Sequence, residues 1–375
     1  MEESPTPGGT RRTATPVAVA VDAMGGDNDP QAAVRGALEA ALKDGIRVLL
    51  VGDRERLQAL SEEWRRALPD NATRAADVLR SHVEIVPAGS VIGMDEHPAQ
   101  AVRSKRNASV VVAARLVAEG RAGAAVSAGN SGATLAAALF TVKRLAGVER
   151  PAIGTSFPTP TTDTFLLDVG ANADCKPEWL LQFGVMGGVY ARLMMAVAAP
   201  RIGLLSNGEE SEKGSQLVRE AHVLLRASSL GFVGNVEGRD LFSGACDVVV
   251  TDGFTGNAVL KTAEGAAEFL FGAIAREARA SLTGRVGGAL LKPRLRPIRD
   301  RVDYRKTGGA LLLGVAGEVV IAHGRSDAEA MVNAVRVAAR AVRQQVSRCI
   351  GEALAEEAAG AAAVRNGERG ALSRT

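Results

Sequence analysis

Short apolar runs recur along this chain, each closed on its C-terminal side by small polar residues and followed by a longer stretch of different period. Val17–Val21, Arg47–Val51, Val83–Val86, Ala124–Ser127, Phe165–Val169, Arg201–Leu205 and Asp247–Thr251 have the length and composition of strands. The segments Gln31–Lys43, Ala108–Glu119, Lys176–Ala198, Gln216–Ala227 and Asn257–Arg279 place apolar residues three and four apart, as an amphipathic or buried helix does. This alternation predicts an α/β fold, a mainly parallel sheet with helices on both faces.

The end of the chain reads differently. Leu311–Leu313 and Val319–Ala322 flank a Gly-rich link and predict a hairpin, so part of the sheet is expected to be mixed. Asp327 is placed to cap a last helix through about Val346. Residues 1–16, rich in Ser, Thr, Pro and Gly, read as a disordered tail, and the Ala/Gly-rich residues 351–375 as a flexible one. Between them, residues 17–350 contain no short-period repeat and no clear linker, which predicts a single large α/β domain.

Composition sharpens this picture. Hydrophobic residues make up 46% of the 375, aromatics only 3%, and glycine numbers 42, so Ala/Val/Leu layers and many tight loops are expected. Cys175, Cys246 and Cys349 form no CxxC pair, which suggests neither a disulfide framework nor a thiolate zinc site and suits a reducing cytoplasm. Val185–Ala199, the best apolar run, is interrupted by Arg192 and falls short of the roughly 20 residues that span a bilayer.

Net charge is only +3, yet residues 276–306 hold ten Arg or Lys against three acids. Apolar residues at 282, 286, 290, 291, 295, 298 and 302 alternate there with Arg285, Lys292, Arg294, Arg296, Arg299 and Arg301. Gly284, Gly287, Gly288, Pro293 and Pro297 argue against one continuous helix, so a helical excursion or hairpin is expected. Such a patch suits an anionic lipid surface, an acidic protein, or a dimer partner with the arginines solvated. Nucleic acid fits worst, because no aromatic platform accompanies the charge.

Five predicted strand ends are dressed for binding an anion, since helix N-termini following strands present unpaired N–H groups and a positive dipole. They are Asp22–Asp27, Ser127–Gly132, Asp168–Asp174, Ser206–Glu210 and Thr251–Asn257, each with Gly and all but the first with Ser, Thr or Asn as well. One such loop alone is an ordinary turn; five together point to a site. No two glycines are separated by exactly one residue, so the GxGxxG dinucleotide fingerprint is absent, and Gly208–Ser215 has its Lys and second Gly in the wrong order for a Walker loop. None of His82, His97, His222 and His323 is followed five residues later by Asp, and there is no GxSxG elbow. His323 and Asp327 form HxxxD, but Asp327 is better explained as a cap. Lys105, Lys176, Lys213 and Lys261 each stand near a loop where a point charge could hold a phosphate oxygen.

At these loops the chain resembles the PlsX family of acyl-carrier-protein:phosphate acyltransferases. The matching stretches are Asp22–Asp27, Ser127–Ala133, Asp168–Asn172, Gly234–Asp240, Thr251–Asn257 and Ile321–Gly324, in order over about residues 17 to 340. The resemblance implies a three-layer αβα fold similar to phosphotransacetylases and to isocitrate and isopropylmalate dehydrogenases. It implies transfer of a fatty acyl group from acyl carrier protein to inorganic phosphate, supplying acyl phosphate for bacterial phospholipid synthesis. It further implies a homodimer, with peripheral contact to anionic membrane and to the downstream glycerol-3-phosphate acyltransferase, and calls for no cofactor and no metal.

For that chemistry Gly129, Ser131 and Gly132 and Gly253, Thr255, Gly256 and Asn257 are the expected phosphate cradle, with Lys213 and Lys261 as cations. Asn130 and Asn172 are the expected oxyanion donors. Asp22, Asp168 and Asp252 are expected to fix their loops, and Leu282, Arg285, Leu290, Leu291, Lys292, Arg294 and Arg296 to meet membrane or carrier protein. A coenzyme A-dependent phosphotransacetylase, a metal-dependent decarboxylating dehydrogenase and a non-catalytic carrier-protein scaffold remain the alternatives.

Overall fold

The seven apolar runs become strands: β1 (Ala18–Asp22), β2 (Arg47–Gly52), β3 (Val83–Pro87), β4 (Ala124–Ser127), β6 (Thr164–Leu167), β7 (Ile202–Leu205) and β9 (Val248–Val250). The computed structural model describes residues 17–28, 30–68, 72–302 and 308–372. The predicted hairpin is present as β10 (Ala310–Leu313) antiparallel to β11 (Glu318–Ile321). Two strands carry no alternating signal, β5 (Ala152–Phe157) and β8 (Phe232–Val236). Their irregular residues answer tertiary demands: a Cβ on Gly154 would sit 2.0 Å from the Phe165 ring, and Gly234 takes φ +109°.

The strands form one sheet in the order β3-β2-β1-β4-β11-β10-β5-β6-β9-β7-β8. Its flanks are parallel, as expected of alternating strands and helices. Three antiparallel steps, β11 to β10 to β5 to β6, interrupt the centre, so the two parallel flanks run in opposite directions.

Successive strand residues feed opposite cores, as the period of two requires. Val19 and Val21 join one core with α1 (Gln31–Asp44), α7 (Pro177–Met194), α8 (Gln216–Ala227) and α11 (Ala328–Gln344). Ala20 joins the other with α5 (Ser109–Ala118), α6 (Ser131–Ala137) and one side of α9 (Gly253–Ala280). The result is three αβα layers. The remaining helices are α2 (Arg54–Arg66), α3 (Ala72–His82), α4 (Pro98–Ser104), α10 (Leu282–Val302) and α12 (Val346–Leu372).

Two features depart from the sequence expectation. The basic segment is a helical hairpin, but its second arm, α10, runs unbroken through Pro293 and Pro297. The prolines are four apart and so lie on one face, confining the lost hydrogen bonds to that side. Packing on α9 supplies what propensity lacks: a Cβ on Gly284 would meet the Ala278 carbonyl oxygen at 3.0 Å, and one on Gly288 the Ala278 Cβ at 2.9 Å. The glycines that weaken the helix locally are the ones that let it dock.

The second departure is the C-terminus, where α12 occupies much of the segment expected to be flexible from residue 351. Val346, Ile350 and Leu354, one turn apart, are buried in the main core, and the Ser229 hydroxyl donates to Glu357 at 2.5 Å. The expected tail at residues 1–16 lies outside the described residues.

Candidate active site

β1 and β4 are parallel neighbours with Asp22 opposite Ser127, so the loops leaving them lie side by side. Ser127 Oγ donates to Asp22 Oδ2 at 2.7 Å and accepts from the Gly129 N–H at 3.1 Å; Met24 N–H donates to Asp22 Oδ1. Burial pushes the Asp22 carboxyl above its ordinary range, while hydrogen bonds from Ser109, Ser127 and Met24 pull it back. A Cβ on Gly25 would stand 2.9 Å from the Gly129 Cα, so these glycines let two backbones touch.

Asn130 caps α6, its Oδ1 accepting from the Ala133 N–H at 3.1 Å. Its amide nitrogen donates to the Met94 carbonyl at 3.1 Å, with the Gly93 and Glu96 carbonyls at 3.4 Å. Asn172 is equally engaged, donating to the Pro151 carbonyl at 2.8 Å and to Asp168 Oδ2 at 3.0 Å. The two expected oxyanion donors therefore spend their amide hydrogens on protein acceptors.

Asp168 organises the other half of the site. Its Oδ1 accepts from the N–H groups of Ile153, Gly170 and Ala171, and its Oδ2 from the Asn172 backbone N–H and side-chain amide. Burial pushes this carboxyl up, and the converging N–H groups oppose the shift. The first turn of α9 sits directly on this loop: a Cβ on Gly253 would lie 2.7 Å from the Asn172 carbonyl oxygen, and one on Gly256 1.9 Å from that of Asp168. Asp252 caps α9, accepting from the Thr255 N–H at 2.8 Å and the Thr255 hydroxyl at 2.7 Å.

Between these loops lies a cleft of about 240 Å³ over the antiparallel centre of the sheet. Ser131, Gly170, Asn257, Lys261, His323 and Ser326 line it. Of the expected cradle, Ser131 and Asn257 thus reach the cleft. Gly129, Gly132, Gly253 and Gly256 instead face Gly25, Pro98 and the Asp168 loop, and the Thr255 hydroxyl serves Asp252.

The four lysines also separate. Lys261 lines the cleft, paired with Glu264 at 2.8 Å. Lys105 pairs with Glu96 at 2.7 Å, and Lys176 stands over the Trp179 ring. Lys213 packs against Gly208 in its own loop, outside the residues lining the cleft.

His323, weighed in the sequence only as part of HxxxD and of the Ile321–Gly324 motif and given no role there, lines the cleft at the end of β11, as do Gly170 and Ser326 from their own loops. Its Nδ1 accepts from the Arg325 N–H at 3.1 Å, which leaves the ring proton on Nε2 in the neutral form. Burial lowers its pKa, and the Lys261 charge lowers it further. Because the folded value lies below the unfolded one, the unfolded chain takes up the proton first as pH falls, and this site then opposes folding. Lys261→Met is expected to shift the His323 titration midpoint upward, followed by the imidazole Cε1–H resonance; an unmoved midpoint would refute the coupling.

The family model described as fatty acid synthesis protein matches residues 17–349, spanning every residue of this cleft. The chain belongs to that family. Among its relatives, the Syntrophotalea carbinolica protein named phosphate acyltransferase is 46% identical over 331 residues, covering 88% of this chain and 92% of its own. A phosphate acyltransferase from Nostoc punctiforme is 47% identical over 335 residues, covering 88% and 95%. In three dimensions the family member is similar to a phosphotransacetylase from Streptococcus pyogenes, with TM-score 0.58, 16% identity and coverage of 88% and 94%. A branched-chain phosphotransacylase from Enterococcus faecalis gives TM-score 0.54 at 17% identity, covering 87% and 99%. Those two likenesses establish the fold, meeting the phosphotransacetylase-like expectation.

Proposed function

We propose that this chain is a phosphate acyltransferase that moves a long-chain fatty acyl group from acyl carrier protein to inorganic phosphate. The acyl phosphate would supply the first acylation of glycerol 3-phosphate in bacterial phospholipid synthesis. The observation that carries this reading is one cleft, inside a near-full-length family match, joining Lys261, Asn257 and His323, whose Nδ1 accepts from the Arg325 N–H.

A phosphate oxygen attacks the thioester carbonyl carbon. The new C–O bond forms, the C–S bond breaks, and the proton given up by hydrogen phosphate passes to the departing thiolate, which leaves as the free thiol. Phosphate ionises near neutral pH and a thiol leaves readily, so positioning can supply much of the rate, up to about 7–11 kcal/mol in favourable cases. Lys261 and Asn257 hold the phosphate, and His323 Nε2–H donates to the oxygen that gathers charge. Asn130, Asn172 and the three aspartates keep the loops in register.

The exposed Leu282, Leu290 and Leu291, with Arg285, Lys292, Arg294 and Arg296 on the same hairpin, suit an acidic carrier protein or an anionic membrane. No described helix is long and apolar enough to cross a membrane. This reading places a homodimer in the cytoplasm, in peripheral contact with the bilayer.

The test is to incubate the protein with a long-chain acyl carrier protein, with and without phosphate, measuring free thiol and hydroxylamine-trappable acyl phosphate. Both are expected to appear together and only with phosphate. Phosphate-independent thiol release would make the chain a hydrolase, and turnover of acetyl-coenzyme A alone would replace the donor. Lys261→Met is expected to lower kcat/KM for phosphate by about 10- to 100-fold.

A further inference from the structure

A second groove, of about 680 Å³, adjoins the cleft and is walled by the end of β5, the turn Gly238–Phe242 and the length of α9 from Thr255 to Leu270. It lies within the size range of ligand pockets. Thr155, Leu260 and Glu264 line both spaces, so the groove opens from the polar cleft.

Its chemistry changes along its length. At the junction with the cleft stand Thr155 and Leu260, and beyond them α9 presents Ala263, Ala266, Ala267 and Leu270 at helical spacing. The alanines leave the space open, and Phe242, edge-on to buried Phe157 at 5.6 Å, forms the opposite wall. Among the described residues Glu264 is the one charged residue lining the groove, at the junction with the cleft. From Leu260, at the junction, to Leu270 the helix rises about 15 Å, more than an acetyl group can use and within reach of a long alkyl chain.

We infer that this groove holds the alkyl chain of the acyl group, with the reacting carbonyl where Thr155 and Leu260 join it to the cleft and the chain running along α9 toward Leu270. The inference rests on the acyl-transfer reading above and gives it a chain-length selector. A polar cleft opening into an apolar groove matches a ligand with one charged end and one hydrocarbon tail. A flat face meeting a second copy of the chain would not need the polar connection.

Binding of straight-chain alkyl phosphonates to the unmodified protein, by calorimetry, tests this without turnover. Affinity is expected to rise by up to about fourfold per methylene until the groove is filled. In Ala267→Trp, which places an indole in the far half, the rise is expected to stop at a shorter chain while methyl phosphonate binds as before. Affinity independent of chain length in the unmodified protein overturns the groove, as does an unchanged series in a folded Ala267→Trp variant. A change in oligomeric mass on that substitution, by light scattering, would assign the face to a second copy and also overturn it. Chain-length-dependent binding without phosphate-dependent acyl transfer would leave the groove standing and remove the catalytic reading.

Discussion

Asp168→Asn is expected to destabilise the protein by about 3–5 kcal/mol and to abolish turnover. Five N–H donors converge on this carboxylate, from Ile153, Gly170, Ala171 and Asn172, the last giving both its backbone and side-chain hydrogens. An amide of the same shape keeps one acceptor oxygen and turns an NH₂ group toward N–H groups that need an acceptor. Each buried donor left unmatched costs about 1–3 kcal/mol. The loop also seats the first turn of α9, so its loss would reach Asn257 and Lys261. Urea unfolding measures the effect as a fall in midpoint at unchanged slope. A variant within about 0.5 kcal/mol of the parent would show the loop to be held by other contacts.

Gly256→Ala should fail for the opposite reason, too much matter rather than a missing acceptor. In an ordinary helix this change gains up to about 1 kcal/mol, because alanine has the better propensity. Here the new Cβ would lie 1.9 Å from the Asp168 carbonyl oxygen and 3.0 Å from Thr251 Cγ2, and neither backbone can yield without opening the cleft. The expected outcome is destabilisation of about 3 kcal/mol, at the upper end for overpacking, with loss of activity. Gly265→Ala in the same helix meets nothing within 4 Å and is expected to be neutral or slightly stabilising. Parallel thermal melts of the two variants compare propensity with packing. Equal melting temperatures would refute the close contact.

The expectations that came through from sequence were those with a local period or a local partner. The apolar runs at β1, β2, β4 and β7 alternate or stay apolar over the length of a strand, and Asp327 accepts from the Ala330 N–H three residues away. Strand β5 escaped notice because Gly154 and Ser156 weaken its pattern, although Gly154 is small to admit the Phe165 ring. Continuity of α10 escaped for a similar reason, since its glycines pack on Ala278 of another helix.

The candidate site divides along the same line. By itself the sequence determined the alternation of strands and helices, the basic stripe at 276–306 and the Gly/Asn/Thr loops at strand ends, because each is written in neighbouring residues. The tertiary structure decided which of these groups can reach a ligand. Asn130 and Asn172 carry free amides in the sequence, and only the approach of the Met94 and Pro151 carbonyls uses them up. Lys261 and Lys213 look alike beside their loops, yet Lys261 alone of the two lines the cleft, with His323, which the chain brings back 62 residues later. A hydrogen bond acts over about 3 Å. Its partner therefore depends on how strands distant in sequence lie side by side, which no local pattern records.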